Sequence, residues 1–215
     1  MATGNFGERL IRIGKDFFTI TEYKKAVFGE DIINYHGKFA RKIEPKRSKL
    51  GAALINGLDR FPLNDDSNIL YLGASTGTTV SYLSDVCIFG RIYAVEVSIE
   101  SFYRLLGLAE KRRNIYPIIE DANMPEKYSF FVDKVDLIYQ DIAQRNQIQI
   151  FNLNAEMFPT AKYAFLVVKT RSISSRFPEQ ALLKTALKEV KSFNVKKIID
   201  LAPFDQSNFM VYMER

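Results

Sequence analysis

The stretch YLGASTGTTVSYLSD (71–85) decides the fold of this chain. It overlaps an apolar run typical of a buried strand, NILYLGAS (68–75), and then passes through a turn rich in glycine and threonine. Gly73 and Gly77 let the chain turn sharply and let a ligand approach the backbone closely. The next residues, VSYLSDVC (80–87), have the pattern of a helix. The stretch therefore predicts a strand, a glycine turn and a helix, the unit that binds ligands in open parallel sheets.

Further along the chain, strand and helix patterns alternate. Strands are predicted by RIYAVEVS (91–98), IYPIIEDA (115–122), VDLIYQDIA (135–143), YAFLVVKT (163–170), KKIIDLAPF (196–204) and NFMVYMER (208–215). Helices are predicted at 46–58, 99–112, 147–158 and 178–193. The alternation predicts an α/β fold whose mostly parallel sheet is covered on both faces, with an antiparallel hairpin formed by the last two strands. Such a Rossmann-like, seven-stranded arrangement is typical of S-adenosylmethionine-dependent methyltransferases.

The N-terminal part has a different pattern, made of short pieces with β-forming residues. FFTITEY (17–23) and DIINYHGKFARKI (31–43) alternate apolar and polar residues with a period of two. We therefore predict a small β-rich domain over residues 1–45 and a methyltransferase-type domain over residues 46–215.

Composition narrows the classes of partner and site. The 215 residues carry a net charge of +5 with a pI of about 9.1, which favours nucleic acid or another polyanion as a partner. Because Cys87 and His36 are the only cysteine and histidine, no internal disulfide can form, and we expect no metal site. No apolar run approaches the roughly 18 residues of a membrane span, and no signal-peptide pattern opens the chain. We expect a soluble intracellular protein without a membrane partner.

Two carboxylates follow the glycine turn, at the ends of the next two predicted strands. Glu96 can accept hydrogen bonds from both ribose hydroxyls of an adenosine cofactor, and Asp121 can contact the exocyclic amine of its adenine. The turn has neither the GxxxxGK[ST] pattern of a nucleoside triphosphate site nor a strict GxGxxG. S-adenosylmethionine, which has no pyrophosphate, is therefore favoured over a nicotinamide dinucleotide. The alternative is that the glycines only form a turn and that the carboxylates are solvated.

Three charged residues are candidates for the chemistry. Lys49 opens the first predicted helix, while Asp141 and Lys169 end the fourth and fifth strands of the predicted sheet. Methyl transfer is an in-line displacement that needs a positioned nucleophile. A ribose hydroxyl must also lose its proton, either to a lysine with a lowered pKa or to a lysine and an aspartate acting together. The alternative is that these lysines are ordinary solvated side chains.

Several blocks of the sequence resemble the fibrillarin family. VFGEDIINYHGKFARKIEPKRSKLGAAL (27–54), with its RSKL, resembles the segment that joins the family's small N-terminal domain to its methyltransferase domain. Further blocks follow in the family's order: ILYLGASTGTTVSYLSD (69–85), YAVEVS (93–98), KRRNIYPIIEDA (111–122), VDLIYQDIAQ (135–144) and LVVKTRSI (166–173). The resemblance extends over residues 27–215.

The resemblance implies an S-adenosylmethionine-dependent RNA ribose 2′-O-methyltransferase, the catalytic subunit of a box C/D guide-RNA complex that acts on rRNA or tRNA. It implies that Lys49, Asp141 and Lys169 are the catalytic set. The implied cofactor contacts are Gly73, Ala74, Thr78, Thr79, Glu96, Val97, Asp121, Ala122, Asp141 and Gln144. The implied partners are a Nop-domain scaffold protein, a kink-turn-binding ribosomal-type protein, the guide RNA and the target RNA. The lack of a Gly/Arg-rich tail resembles archaeal members, which implies a cytoplasmic location.

The sequence departs from the family pattern at several positions. The usual DPYxxDH-like ending reads APFDQSNF (202–209). Asn208 replaces a histidine often counted as a fourth active-site residue, and Ala202 replaces an aspartate. Val97 and Tyr82 replace a usual phenylalanine and a usual histidine. These changes leave the cofactor contacts and the lysine–aspartate–lysine set in place.

Three hypotheses remain open at this point. The first is the guide-dependent methyltransferase, for which we expect Arg171, two residues after Lys169, to contact RNA. The second is a stand-alone methyltransferase that acts on tRNA or on a small molecule. The third is a subunit that binds cofactor and scaffold but has impaired catalysis, which is suggested by Asn208.

Overall fold

The computed structural model describes residues 6–215, which form two β-sheets, six α-helices and two short 3₁₀ helices. The strands are β1 (Leu10–Ile13), β2 (Asp16–Thr21), β3 (Ile32–Tyr35), β4 (Lys38–Lys42), β5 (Ile69–Leu72), β6 (Ile92–Glu96), β7 (Ile115–Ile119), β8 (Leu137–Gln140), β9 (Tyr163–Lys169), β10 (Asn194–Asp200) and β11 (Asn208–Glu214). The helices are α1 (Lys49–Ile55), α2 (Thr78–Val86), α3 (Ile99–Ala109), α4 (Gln147–Met157), α5 (Thr170–Ile173) and α6 (Glu179–Lys188). None of these helices is long and apolar enough to cross a membrane.

Strands β5 to β11 form one seven-stranded sheet in the order β10-β11-β9-β8-β5-β6-β7. β5 pairs in parallel with β6 and with β8, and the outer pairs β6–β7 and β8–β9 are parallel as well. β11 is antiparallel to both β9 and β10. This confirms the predicted Rossmann-like sheet and its C-terminal hairpin. From β5 the chain runs outwards to β6 and β7 on one side, and it then crosses over to β8 and β9 on the other side. Because the strand order reverses between β5 and β8, a crevice opens at their carboxyl ends.

Helices cover both faces of this sheet and bury an apolar layer on each. Val80 of α2 belongs to one layer and Phe151 of α4 to the other. Residues of β5 alternate between them, with Tyr71 in the first layer and Leu70 in the second. Burial of one large apolar side chain contributes roughly 1.5–3 kcal/mol to the free energy of folding, so the two layers together stabilise the strands. The residues that follow the strand ends are therefore attached to a well-packed sheet.

Strands β1 to β4 form a separate antiparallel sheet in the order β1-β2-β4-β3. Leu10 and Phe17 of this sheet belong to the same apolar layer as α1 and α2, so the small sheet packs directly on the larger unit. Its other face carries a cluster of its own that consists of Phe18, Ile20 and Ala40. The predicted domain boundary at residues 45 and 46 stays a prediction, and residues 1–5 of the predicted small domain lie outside the described residues.

Buried charges tie the small sheet to α2. Asp85, which is 2% exposed, accepts hydrogen bonds from Nη1 of Arg41 (2.7 Å) and Nη1 of Arg112 (2.6 Å). Its two carboxylate oxygens also accept the hydroxyl groups of Thr19 (2.9 Å) and Thr21 (2.7 Å) from β2. We call Asp85, Arg41 and Arg112 the Asp85 cluster. Each oxygen of this carboxylate accepts two hydrogen bonds, so the Asp85 carboxylate is saturated.

Aromatic rings cover the two guanidinium groups of the Asp85 cluster. Arg41 lies 4.1 Å from the ring centroid of Tyr82, and Arg112 lies 4.3 Å from that of Tyr23. Tyr82, one of the departures from the family pattern, thus packs on a buried cation. Arg41 also binds the carboxylate of Glu30. Burial raises the pKa of Glu30, but the charge of Arg41 and main-chain hydrogen bonds outweigh burial and hold that pKa below its ordinary value.

The structure differs from the predicted elements mainly at two places, after β9 and after β10. α5 follows β9 directly, although the polar KTRSI stretch has no apolar period that indicates a helix. The predicted strand at 196–204 ends at Asp200, where the loop 201–207 begins. Both differences lie at the carboxyl edge of the sheet, where side-chain contacts rather than periodicity determine the backbone.

Candidate active site

A cleft of about 250 Å³ opens at the carboxyl edge of the seven-stranded sheet. The predicted residues that line it are Gly73, Glu96, Val97, Asp121, Ala122, Asp141, Gln144 and Lys169. The cleft is also lined by five residues that were not predicted, Ser75, Val95, Glu120, Ile142 and Ala143. Each is within two positions of a predicted residue, so adjacency to a strand end is the signal that would have found them.

Two glycines shape the turn between β5 and α2. Gly73 has a φ of +80°, and a Cβ atom there would lie 2.9 Å from the main-chain oxygen of Asp141. Gly77 has a φ of +88°, and a Cβ atom there would lie 2.5 Å from Cδ2 of Leu108. Side chains are disfavoured at both positions by conformation and by space. The first glycine lets the segments that follow β5 and β8 approach each other, and the second lets α2 pack on α3.

Three predicted cofactor contacts are not part of the cleft lining. Ala74 and Thr79 are buried within the turn, and Thr78 is half-buried at the start of α2. The hydroxyl group of Thr79 forms a hydrogen bond with that of Ser48 (3.0 Å), which caps α1. The cofactor roles of Ala74, Thr78 and Thr79 stay predictions, and Thr79 has in addition a structural contact to the helix that carries Lys49.

Glu96 is the last residue of β6 and is fixed by the main chain. Its Oε2 accepts a hydrogen bond from the N–H of Ser75 (2.7 Å), and its Oε1 accepts one from the N–H of Ser98 (2.8 Å). Only 9% of the residue is exposed, and it lines the cleft. Each carboxylate oxygen keeps a lone pair for one further donor, as the two hydroxyls of a ribose require.

The region after β7 is ordered by an asparagine that the sequence analysis did not include. Asn123 donates to Oδ1 of Asp121 through its main-chain N–H (2.9 Å) and its Nδ2 (2.8 Å). The same Nδ2 contacts Oε1 of Gln144 (3.3 Å). The Asp-x-Asn spacing in EDAN, which favours a local turn, was the available signal. Together with Glu96, the Asp121 carboxylate and the Gln144 amide give the cleft hydrogen-bond acceptors that fit an adenosine-bearing cofactor.

The three predicted catalytic residues meet at the mouth of the cleft. Asp141 directly follows β8, Lys169 ends β9 and Lys49 begins α1. Nζ of Lys49 lies 3.1 Å from Oδ2 of Asp141, and Nζ of Lys169 lies 2.8 Å from Oδ1. Nζ of Lys169 also donates to the main-chain oxygen of Asp141 (3.1 Å), which is the better aligned hydrogen bond. Asp141 thus lies between two ammonium groups.

Buried polar residues fix the two lysines from behind. Ser48 caps α1 by accepting the N–H of Gly51 (3.4 Å), so that Lys49 is the first helical residue. Gln147, fully buried at the start of α4, exchanges two hydrogen bonds with the main chain of Lys169 (2.9 and 3.1 Å). No pattern in the sequence indicates this role of Gln147, because its partner is distant along the chain.

A second carboxylate reaches Lys49 from the loop 201–207. Oδ2 of Asp205 lies 3.4 Å from Nζ of Lys49. Burial lowers the pKa of Lys49, but the negative charges of Asp141 and Asp205 outweigh burial and raise that pKa above its ordinary value. Lys49 is therefore an ammonium ion at neutral pH. Of the two alternatives, this direction fits a lysine and an aspartate acting together rather than a lysine with a lowered pKa.

Two stacked tyrosines lie in the strands that lead to the cluster. The rings of Tyr71 in β5 and Tyr139 in β8 have centroids 4.5 Å apart at an interplanar angle of 11°. Burial, with the charge of Asp141, raises the pKa of both phenols well above the ordinary value. Both phenols stay neutral. Their buried rings lower the local dielectric constant near Asp141, which strengthens the ion pairs of Asp141 with the two lysines.

Arg171 lies on α5 and is not part of the cleft lining. Its side chain is 73% exposed and pairs loosely with Glu179 (3.8 Å). A larger depression of about 770 Å³ lies between α4 and the end of α6 and is lined by residues such as Asn152, Glu156 and Lys191. It contains none of the predicted site residues. Residues 6–215 hold no group of His, Cys, Asp or Glu side chains arranged for a metal ion.

Comparison with known proteins gives one consistent result. A family model described as Fibrillarin matches residues 12–215. A fibrillarin-like rRNA/tRNA 2′-O-methyltransferase of Picrophilus torridus is 52% identical over 207 residues, which cover 96% of this chain and 97% of that protein.

Solved structures extend the likeness to three dimensions. A chain in the crystal structure of a fibrillarin/Nop5p complex is 40% identical with a TM-score of 0.90, and the match covers 98% of this chain and 99% of that chain. Fibrillarin of Aeropyrum pernix, solved with natively bound S-adenosyl-L-methionine, is 37% identical with a TM-score of 0.81. That match covers 92% of this chain and 88% of that chain.

Proposed function

Because this chain belongs to the fibrillarin family, we propose that it is an S-adenosylmethionine-dependent RNA ribose 2′-O-methyltransferase. It acts on rRNA or tRNA as the catalytic subunit of a box C/D guide-RNA complex in the cytoplasm. The observation that carries the proposal is the meeting of Lys49, Asp141 and Lys169 at the mouth of the cleft. Their side chains are only 14–21% exposed, so these charges are held in place rather than freely solvated.

The cleft provides the cofactor contacts. S-adenosylmethionine, when bound, supplies an electrophilic methyl group. Glu96 accepts hydrogen bonds from the ribose hydroxyls, Asp121 and Ala122 contact the adenine, and Gln144 lies with Asp141 towards the methionine end. The support for this assignment is that all five residues line one continuous cleft.

The charged set positions the acceptor and takes up its proton. Lys49, an ammonium ion, pairs with Asp141 and orients its carboxylate towards the acceptor hydroxyl. Lys169 and Asp141 hold the 2′-hydroxyl in line with the methyl group, which is the main requirement of this displacement. As the hydroxyl oxygen bonds to the methyl carbon, the bond from that carbon to the cofactor sulfur would break and leave its electron pair on the sulfur, which becomes a neutral thioether. The hydroxyl proton would pass to the Asp141 carboxylate and then to water.

An exposed apolar groove next to the cleft fits a protein partner. Phe102, Tyr116, Ile119 and Phe131 line this groove along β7, and Glu120 lines both the groove and the cofactor cleft. Tyr116, Ile119 and Phe131 are 43–62% exposed, and β7 is an edge strand of the sheet. Exposed apolar grooves of this kind mark interaction surfaces. The Nop-domain scaffold protein covers this groove.

The groove assignment is tested by binding. Phe131→Glu should weaken scaffold binding about tenfold or more, because it places a charge in an apolar contact. Phe177→Glu is the matched control, since Phe177 is equally exposed (64%) but lies outside the groove. Equal scaffold affinities of the two variants would rule the groove out.

The remaining partners are those expected of a guide-dependent methyltransferase. A kink-turn-binding ribosomal-type protein and the guide RNA complete the complex, and base pairing with the guide selects the target ribose. Arg171 contacts RNA phosphate. The support is its exposure, its position two residues after Lys169 and the net charge of +5.

The function is tested by transfer of labelled methyl from S-adenosylmethionine to an RNA complementary to the guide. We expect transfer only to the base-paired ribose, and only when scaffold, kink-turn protein and guide are all present. Lys169→Ala should abolish the transfer, whereas Lys184→Ala, which changes an exposed lysine of α6, should not.

Two other outcomes would replace the proposal. Transfer by the isolated chain would show a stand-alone methyltransferase. Cofactor binding and assembly without any transfer would show a structural subunit, the reading that Asn208 suggests.

A further inference from the structure

The loop 201–207 and Asn208, the first residue of β11, form a small network of an ion pair and a hydrogen bond next to Lys49. Asp205 contributes Oδ2 to the Lys49 ammonium at 3.4 Å. Its other oxygen, Oδ1, accepts a hydrogen bond from Nδ2 of Asn208 at 2.6 Å. The carboxylate is therefore held at both oxygens. Asp205 lines no part of the cofactor cleft.

The loop is anchored to both elements that carry the active-site lysines. At the end of α1, Nδ2 of Asn56 donates to the main-chain oxygens of Asp200 and Ala202, at 2.7 Å each. After β9, Thr170 donates to the main-chain oxygen of Ser207 through its N–H (3.1 Å) and its hydroxyl (2.8 Å). The position of Asp205 is thus set relative to Lys49 and to Lys169 together.

Four charged groups face one another at this point, each from a different element. Lys49 comes from α1, Asp141 follows β8, Lys169 ends β9 and Asp205 comes from the loop 201–207. Two positive and two negative charges balance. Without Asp205, the ammonium groups of Lys49 and Lys169 would share the single carboxylate of Asp141. Repulsion between the two ammonium groups would then push Lys49 away from Asp141.

We propose that Asp205, held by Asn208, is a positioning residue for methyl transfer that fixes the Lys49 ammonium against Asp141. Asp205 is not part of the cleft lining and acts through its contact with Lys49. The inference rests on the proposed function for its catalytic meaning, but the geometry of Lys49 can be tested without it. Asn208 thereby has a defined task in this chain, which is to orient the Asp205 carboxylate.

The first test measures the chemical reactivity of Lys49 in the purified chain. Competitive acetylation with acetic anhydride at mildly alkaline pH, read out by peptide mass spectrometry, reports the free-amine fraction of each lysine. Asp205→Asn should raise the labelling of Lys49 about threefold to tenfold relative to Lys184, because one stabilising carboxylate is lost. Asn208→Ala should raise it by a smaller factor.

A matched control separates this effect from general loosening of the fold. Asp59→Asn removes the partner of Lys197 (2.7 Å), a surface ion pair outside the site. It should leave the labelling of Lys49 unchanged. Unchanged labelling of Lys49 in Asp205→Asn would overturn the inference.

The second test measures methyl transfer in the complete guide-RNA mixture. Asp205→Asn should lower kcat about tenfold without raising KM for the target RNA or weakening cofactor binding. Asp205→Glu, which keeps the carboxylate, should restore most of kcat. An unchanged kcat in Asp205→Asn would overturn the positioning role.

The two tests also distinguish this inference from the proposed function. If the unsubstituted chain transfers no methyl group, the proposed function fails. A rise of Lys49 labelling in Asp205→Asn would then still support Asp205 as the group that fixes Lys49.

Discussion

Asp85 and Asp141 are each flanked by two basic side chains, yet their surroundings differ. Asp85 is 2% exposed, and its oxygens accept two arginine and two threonine donors. Asp141 is paired with two lysines, and its side chain keeps 14% of its surface exposed towards the cleft. Arginine offers a rigid fork of several donors, whereas lysine is a compact charge on a flexible stem.

The difference teaches that saturation, not the charge pattern, separates a structural cluster from a reactive one. The Asp85 carboxylate has no free lone pair and no open side, so its charges only hold elements together. The Asp141 carboxylate borders a cleft and keeps capacity for a further hydrogen bond. An aspartate between two cations can therefore be assigned a structural or a reactive role only when its remaining hydrogen-bond partners are known.

The largest effect is expected at the open cluster. Lys169→Ala should reduce methyl transfer about 10²- to 10⁴-fold, because it removes a group that holds the acceptor hydroxyl. Thermal stability should hardly change, since a partly exposed ion pair contributes about 1 kcal/mol or less. Single-turnover transfer and thermal unfolding measure the two quantities, with Lys184→Ala as the control. A variant that loses stability and activity together would erase the contrast with Asp85.

The saturated cluster should show the opposite result. Asp85→Ala leaves Arg41 and Arg112 buried without their shared carboxylate, which should cost about 3–5 kcal/mol of unfolding free energy. Urea unfolding measures this cost. Asp133→Ala, which breaks the exposed pair with Arg91, should leave the urea midpoint unchanged. A small loss at Asp85 would mean that water or another group replaces the carboxylate, and the cluster would not be saturated.

Exchange of the two basic residue types sharpens the comparison. Arg41→Lys keeps the charge, but one ammonium cannot serve Asp85, Glu30 and Ser81 together, so we expect a loss of about 1–3 kcal/mol. Lys169→Arg should leave the melting temperature nearly unchanged and lower only the rate of methyl transfer. Differential scanning calorimetry of the two variants gives the answer. Equal melting temperatures would show that donor number does not matter at Asp85.

The smallest effects are those of pH, and they have opposite signs. The pKa of Glu30 is lowered in the fold, so its contribution to stability is complete above the ordinary value of 4.5 and is lost as pH falls through the folded pKa. The pKa of Lys49 is raised, so its contribution is complete below 10.5 and is lost as pH rises through the folded pKa.

Unfolding of Glu30→Gln and Lys49→Met against pH measures this difference. The stability deficit of Glu30→Gln relative to the unsubstituted chain should shrink only in acid, and that of Lys49→Met only in strong alkali. A deficit of Lys49→Met that changes between about pH 6 and pH 9 would contradict the ammonium assignment.

The strands and helices that could be predicted from the sequence are those with a clear apolar pattern of their own. The apolar run before Gly73 and the helix after Gly77 have the expected strand and helix. Because the carboxyl ends of parallel strands meet at one edge, Asp141 and Lys169 could be placed together from the ends of their strands. The family resemblance added the residues of the catalytic set and of the cofactor cleft as hypotheses.

What could not be predicted depends on contacts between distant parts of the chain. Asp205 lies in a loop without a strand or helix period, and the anchoring of that loop brings it to Lys49. Arg41 and Asp85 are 44 positions apart, and neither strand nor helix pattern pairs them. Such pairings come from tertiary packing, about which a period of two or of 3.6 residues carries no information.

The Asp85 cluster also imposes an order on biosynthesis. Arg41 leaves the ribosome before its partner Asp85, which follows 44 positions later, and at 5–20 residues per second the interval is roughly 2 to 9 seconds. During that time the Arg41 guanidinium has Glu30 as a partner but neither Ser81 nor Asp85. Ribosome-bound chains stalled before and after residue 85 has emerged should therefore differ in protease resistance of residues 10–42. The small sheet is synthesised first, but its buried charges are fully paired only when a later segment arrives.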